Sequence, residues 1–330
     1  LSAEAHLFTA PRATQWSIHN WQEWNPGVWR VPNPPEGAMI RYYLREDAPL
    51  PPSERGGRGG DQGAGGPFGG FGGRGGNQAP PPPRPAPPEP TVTLTVLDEA
   101  GEFVREFEGP GHAGVQTAYW DMRIADAYTP EPGAGGGGFR GGRGGGGRRG
   151  PLVLPGAYTV RLEAGGRTVE TTVDVVMDPR VQISAEALAE RQRALMDAYH
   201  LARPLYEAQQ TMAAINEQLD GVRELAGDNA PDALRSTLDD VRQQVRMVQQ
   251  RLQDAGQGAG AAGAIASYVG PPTEDQLWQI DQSWRDLPGV IESINALITE
   301  RMPELIGMVY QPGVGPAPIP TVEVPTRPAR

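Results

Sequence analysis

The chain has 330 residues and a net charge of −11, with 29 arginines and neither lysine nor cysteine. That length leaves room for two ordinary domains, each with its own core, and the acidic balance argues against a general nucleic-acid binder. Without cysteine there are no disulfides or thiolate metal sites, without lysine no ordinary phosphate loop, and no apolar run approaches the roughly 20 residues that span a bilayer.

The N-terminus has neither an initiator Met nor the layout of a signal peptide, which predicts a mature product or a piece of a longer polypeptide. Residues 1–37 hold Trp16, Trp21, Trp24 and Trp29, four of the seven tryptophans, among several prolines. This predicts an extended arm whose rings lie across a neighbouring domain or face a glycan. Residues 38–44 read as a strand. From about 49 to 90, and again from about 131 to 151, the composition collapses to Gly, Pro and Arg, which predicts solvated insertions rather than core. These two tracts carry eight arginines and four acids on an otherwise acidic body. That is a poor surface for tracking phosphates, so no nucleic-acid partner is expected.

With both tracts set aside, a series of strands remains. Residues 91–107 organise it: Val92, Leu94 and Val96 alternate, an Asp-Glu-Ala-Gly turn follows, and a second run returns from Phe103 to Phe107. Further strands are predicted at 115–122, 156–163 and 167–176, the last two joined through Gly165-Gly166 as a primed turn. The expectation for residues 38–180 is an antiparallel β-sandwich of immunoglobulin-like type.

At residue 177 the period changes from two to that of a helix. Ser184 is the predicted N-cap of a helix that reaches about Ala226, with a seam from Leu201 through Leu205, Ala208, Met212, Ile215, Leu219, Val222 and Ala226. Pro204 should kink it near His200. A second seam runs from Leu234 to Leu252, a Gly/Ala linker covers 255–270, and Thr273 with Gln276 forms a capping box for a third helix through Ile298. Residues 181–310 are therefore expected to form an antiparallel three-helix bundle, followed by an extended Pro-rich tail over 311–330. The first helix would be about 60 Å long, more than the second can cover, so its first half is expected to lie against the sandwich or another partner.

The search for chemistry yields little. The four histidines, at 6, 19, 112 and 200, lack a second ligand at metal spacing. Asp98 and Asp121 are the acids to weigh for glycoside hydrolysis, but Asp98 opens a turn and Asp121 ends a strand beside Trp120, so both read as structural. No catalytic, cofactor-binding or metal-ligating residue is assigned.

The succession of residues 37–44, 92–105, 119–123 and 154–162, closing on Val176-Met-Asp-Pro-Arg, resembles the C-terminal region of secreted bacterial BNR-repeat (sortilin or VPS10-like) β-propeller proteins, often labelled glycosyl hydrolases. The sandwich is also similar to the immunoglobulin-like domain of flagellar hook-capping proteins and of secretion-sorting modules. The resemblance implies a secreted or cell-envelope protein whose helical segment follows the sandwich. Its partner would be an N-terminal propeller of the same precursor, or another protein chain. Asp-box repeats are absent here, so any glycosidase site would lie on that propeller and this chain is expected not to be an enzyme. The alternative is a carbohydrate-binding module in which Trp16, Trp21, Trp24 and Trp29 contact the glycan.

Overall fold

The computed structural model describes residues 3–16, 37–50, 89–129, 149–227, 230–310 and 315–329. Most of both Gly-rich tracts therefore lies outside the described residues. The fold consists of antiparallel sheets followed by helices.

Eight strands form two sheets: β1 (Ala5–Leu7), β2 (Ala13–Gln15), β3 (Ala38–Leu44), β4 (Thr91–Leu97), β5 (Phe103–Pro110), β6 (Gly114–Trp120), β7 (Gly156–Ala164) and β8 (Arg167–Met177). One sheet has the order β1-β3-β6 and the other β2-β8-β7-β4-β5. The predicted arm thus begins as strands, one at the edge of each sheet. The hairpin of β4 and β5 is antiparallel, as its alternation requires. Asp98 holds the turn, its carboxylate accepting from the Ala100 and Glu102 amides at 2.9 and 2.8 Å. Gly165 and Gly166 have φ of +58° and +71°, the pair of left-handed conformations that a primed turn between β7 and β8 demands.

Even-numbered side chains of β3 and β6 point inward, and those of β4 meet them from the other sheet. Trp120 and Tyr158 pack edge to face at 5.2 Å. The Tyr42 hydroxyl donates to the Pro110 carbonyl at 2.7 Å, and burial pushes its pKa up to about 12. The ends of the first Gly-rich tract converge on one residue: the Ala48 amide donates to the Gly111 carbonyl at 2.7 Å and the Gly111 amide to the Pro90 carbonyl at 2.8 Å. The second tract is pinched in the same way, with Ile124 and Val153 donating to Pro151 and Met122 at 3.1 and 2.9 Å.

The helices are α1 (Ala185–Ala226), α2 (Asp232–Ala255), α3 (Gln257–Ala266), α4 (Glu274–Ala296) and α5 (Met302–Val309), with one π turn over Leu297–Arg301 between the last two. Ser184 caps α1, and the Thr273–Gln276 box caps α4. The predicted seams are buried in a single core, and α1 runs unbroken through Pro204.

Three expectations need correction. The Gly/Ala linker is helix α3: its alanines favour a helix, and Gly258 lies so close to α4 that a Cβ there would stand 2.5 Å from the Ser283 hydroxyl oxygen. The third helix does not stop near Ile298 but continues through the π turn into α5. The first half of α1 is covered within the helical unit itself, because α3 and α4 pack on it and bury Ala194, Leu195, Ala198 and Leu201. The buried Arg191 guanidinium fastens α3 there by donating to the Ile265 carbonyl at 3.1 Å.

Contacts divide the chain into two units. The first comprises Leu1–Ala13, Asn33–Asp121 and Ala157–Asp174; the second comprises Thr14–Pro32, Met122–Gly156 and Val175–Arg330. The chain passes between them several times rather than once.

Candidate functional site

The three-stranded sheet presents a second face built from the odd-numbered residues of β3 and β6 and from His6 and Phe8 at β1. In register, His6 lies beside Tyr43 and Tyr43 beside Val115, while Arg41 pairs with Thr117 and Met39 with Tyr119. Phe8 extends the Arg41–Thr117 row, its amide donating to the Arg41 carbonyl at 3.0 Å and its ring meeting His6 edge-on at 5.0 Å. Val115 is 62% and Tyr119 41% exposed, His6 and Arg41 are exposed, and Phe8, Met39, Tyr43 and Thr117 are half-buried. The result is an aromatic and aliphatic surface around one guanidinium. Cross-strand pairing of such side chains stabilises the sheet by only about 0.2–1 kcal/mol per pair, so folding alone does not account for so many of them on the solvent side. The surface can take up an apolar or ring-bearing partner.

Sequence reasoning read residues 38–44 as a strand and missed this face because it did not weigh the two sides of that strand separately. Met39 and Tyr43 are out of phase with the inward Ile40, Tyr42 and Leu44, so the strand is apolar on both sides. That pattern marks a strand covered on both faces or one that awaits a partner.

The tryptophans on which the sequence reading rested are described only in part. Trp21, Trp24 and Trp29 lie outside the described residues. Trp16 follows β2 and is 57% exposed, with the Arg180 guanidinium carbon 5.6 Å from its ring centroid. Arg180 is placed by the turn Asp178-Pro179-Arg180-Val181, closed by the Val181 amide donating to the Asp178 carbonyl at 2.9 Å. Asp at the first position and Pro at the second are what such a turn favours. The Asp178 carboxylate is 1% exposed. It accepts from the Arg180 amide and Nε at 2.9 Å each, and its hydrogen bonds and charge raise the Arg180 pKa above its ordinary value.

Asp98 closes its turn, and Asp121 stands 3.6 Å from Arg105. A cleft of about 790 Å³ lies where the ends of β3, β4, β7 and β8 meet, with Glu4, Glu46, Asp47 and Glu163 in its walls. Its acids include structural ones, since Glu4 faces Arg167 at 3.5 Å and Asp47 accepts from the Ala113 amide at 2.7 Å. Among the described residues no cluster of three or more His, Asp or Glu could hold a metal ion, and no helix is long and apolar enough to cross a membrane.

Compared with family models, curated proteins and solved structures, the chain matches none of them.

Proposed function

We propose that this chain is the non-catalytic, C-terminal structural part of a secreted or cell-envelope β-propeller protein, where it braces the propeller or carries contacts to another protein chain. In this reading the two facing sheets are an immunoglobulin-like sandwich, and α1, α2 and α4 form an antiparallel three-helix bundle with α3 as an added lid. The observation that carries the proposal is the outer face of the three-stranded sheet. Tyr, Phe, Met and a single Arg are residue types enriched at interface centres, and here they lie together on one face of the sheet. The succession of strand motifs that resembles the propeller family supplies the identity of the partner. A photo-crosslinking amino acid at Thr117, in the middle of that face, tests it in the producing cell. The proposal expects a crosslink to a β-propeller segment of the same polypeptide or to a propeller-bearing partner; crosslinking to water alone would overturn it.

A second reading, a carbohydrate-binding module, draws on Trp16. Its ring is more than half exposed and lies under the Arg180 guanidinium, an arrangement that would orient a stacking platform for a sugar. Tryptophan fluorescence titrated with polysaccharides should then shift, and Trp16→Ala should diminish the shift. An unresponsive parent protein would dispose of this reading.

A further inference from the structure

The C-terminal segment 315–329 is read by the helical unit through several separate contacts. The Gln218 side-chain amide donates to the Ala317 carbonyl at 2.8 Å. Asn295 engages both backbone groups of one residue: its Oδ1 accepts from the Val322 amide and its Nδ2 donates to the Val322 carbonyl, each at 2.8 Å. That is the pairing an adjacent β-strand would offer, and only an extended residue presents both groups to one side. The Val322 side chain is 7% exposed and belongs to the helical core. Five residues later the Arg327 guanidinium bridges two helices, at 2.6 Å from Asp197 on α1 and 2.6 Å from Asp281 on α4. Burial pulls the Arg327 pKa down, but the hydrogen bonds and charges of the two aspartates outweigh it and raise it overall.

The spacing is that of an extended strap. From Asn295 back to Asp281 is roughly 21 Å along a helix. Five extended residues span about 17 Å, and the arginine side chain makes up the remainder. The tail therefore runs antiparallel to α4. Pro316, Pro318, Pro320, Pro325 and Pro328 keep it near the polyproline conformation, so little chain entropy is lost on docking. The groove selects its occupant in two ways. The Val322 socket takes a branched apolar side chain beside a backbone clamp that ignores sequence. The aspartate pair demands a cation, because without it two carboxylates on neighbouring helices would stand about one guanidinium apart.

From this geometry we infer that the groove along α1 and α4 is a recognition site for extended, proline-rich peptides carrying valine and, five residues on, arginine, and that the protein's own tail occupies it in cis. The inference does not rest on the propeller reading.

The test uses the full chain with Arg327→Glu, or independently Val322→Asp, to release the tail, and a fluorescent synthetic peptide of residues 315–329 as probe. Both variants should bind the peptide, as measured by anisotropy, at least tenfold more tightly than the parent chain, whose own tail competes. Adding Asp197→Asn and Asp281→Asn to the Arg327→Glu chain should reduce binding at least tenfold, as should a peptide with alanine in place of its arginine. Three results would each overturn the inference: no binding by either released variant, equal binding of the alanine peptide, or an Arg327→Glu chain whose Val322 amide stays as protected from hydrogen exchange as in the parent.

Discussion

In the helical unit the apolar seam of α1 is covered along its length, by α2, α4 and α5 over its later turns and by α3 and α4 over its first, and the tail adds Val322 to the same core. Its helices and tail still expose Leu225 on α1, Met247 on α2, Trp278 on α4, Met308 on α5, the adjacent Tyr268 and Val269, and Val324 on the tail, most of them the isolated apolar residues that a protein surface ordinarily carries. The sheet unit is built differently. Its inner face is closed around Trp120, Tyr42, Leu94 and Val160, whereas the outer face of β1, β3 and β6 keeps Phe8, Tyr43, Val115 and Tyr119 together at the surface. The sheet unit gathers several of its exposed apolar residues on one face, whereas those of the helical unit fall mostly on separate elements. The proposed propeller contact is therefore to be sought on the sheet face, and peptide contact in the groove of the helical unit.

The largest expected effects test whether the two cores are separate. Trp120→Ala should destabilise the sheet unit by about 3–5 kcal/mol, and Leu201→Ala the helical unit by about 2–5 kcal/mol. Calorimetry should show each substitution lowering its own transition and leaving the other in place; a single transition lowered equally by both would merge the two units. Next comes the closeness of α3 to α4. Gly258→Ala puts a Cβ against the Ser283 oxygen and the Gln279 carbonyl, within 2.7 Å of each, and overpacking of that kind costs about 1–3 kcal/mol. It should be visible as faster hydrogen exchange across Gln257–Ala266.

A smaller effect depends on pH. Burial holds the His200 pKa below its ordinary value despite the nearby Asp197, so the folded state favours the neutral ring and the unfolded chain takes up the proton first. The stability tied to His200 is complete above about pH 6.5 and declines as pH falls from there through the lower folded value. His200→Gln should flatten urea-midpoint curves over that window, in the helical transition alone. Smallest of all is the cost of altering the open face: Val115→Ser with Tyr119→Ser should change stability by no more than about 0.5 kcal/mol each while abolishing partner contact.

The sequence showed the parts whose pattern is local. Alternation at Val92, Leu94 and Val96, the Gly165-Gly166 turn, Ser184 as a cap and the Thr273–Gln276 box each need only a few neighbouring residues, and each stands where it was expected. What stayed hidden depends on distant neighbours. Residues 257–266 look like a linker until α4 is placed against Gly258. Residues 5–7 become a strand only because Leu44, Tyr43 and Tyr42 offer an edge. The open face needs three strands from separate parts of the chain in register before its side chains form one surface. Trp16 lies beside Arg180 of the Met-Asp-Pro-Arg turn, a contact across more than 150 positions that no local pattern encodes.

Because the chain has no cysteine, single cysteines can report directly on which unit meets a partner. Val115→Cys and Met247→Cys would each be labelled with a water-soluble maleimide, in the isolated chain and in material kept in its native assembly. Both positions should react quickly in the isolated chain, and in the assembly Val115→Cys should be protected at least tenfold while Met247→Cys reacts as before. Equal reactivity of Val115→Cys in both preparations, or protection at Met247→Cys instead, would contradict the assignment of the partner surface to the sheet unit.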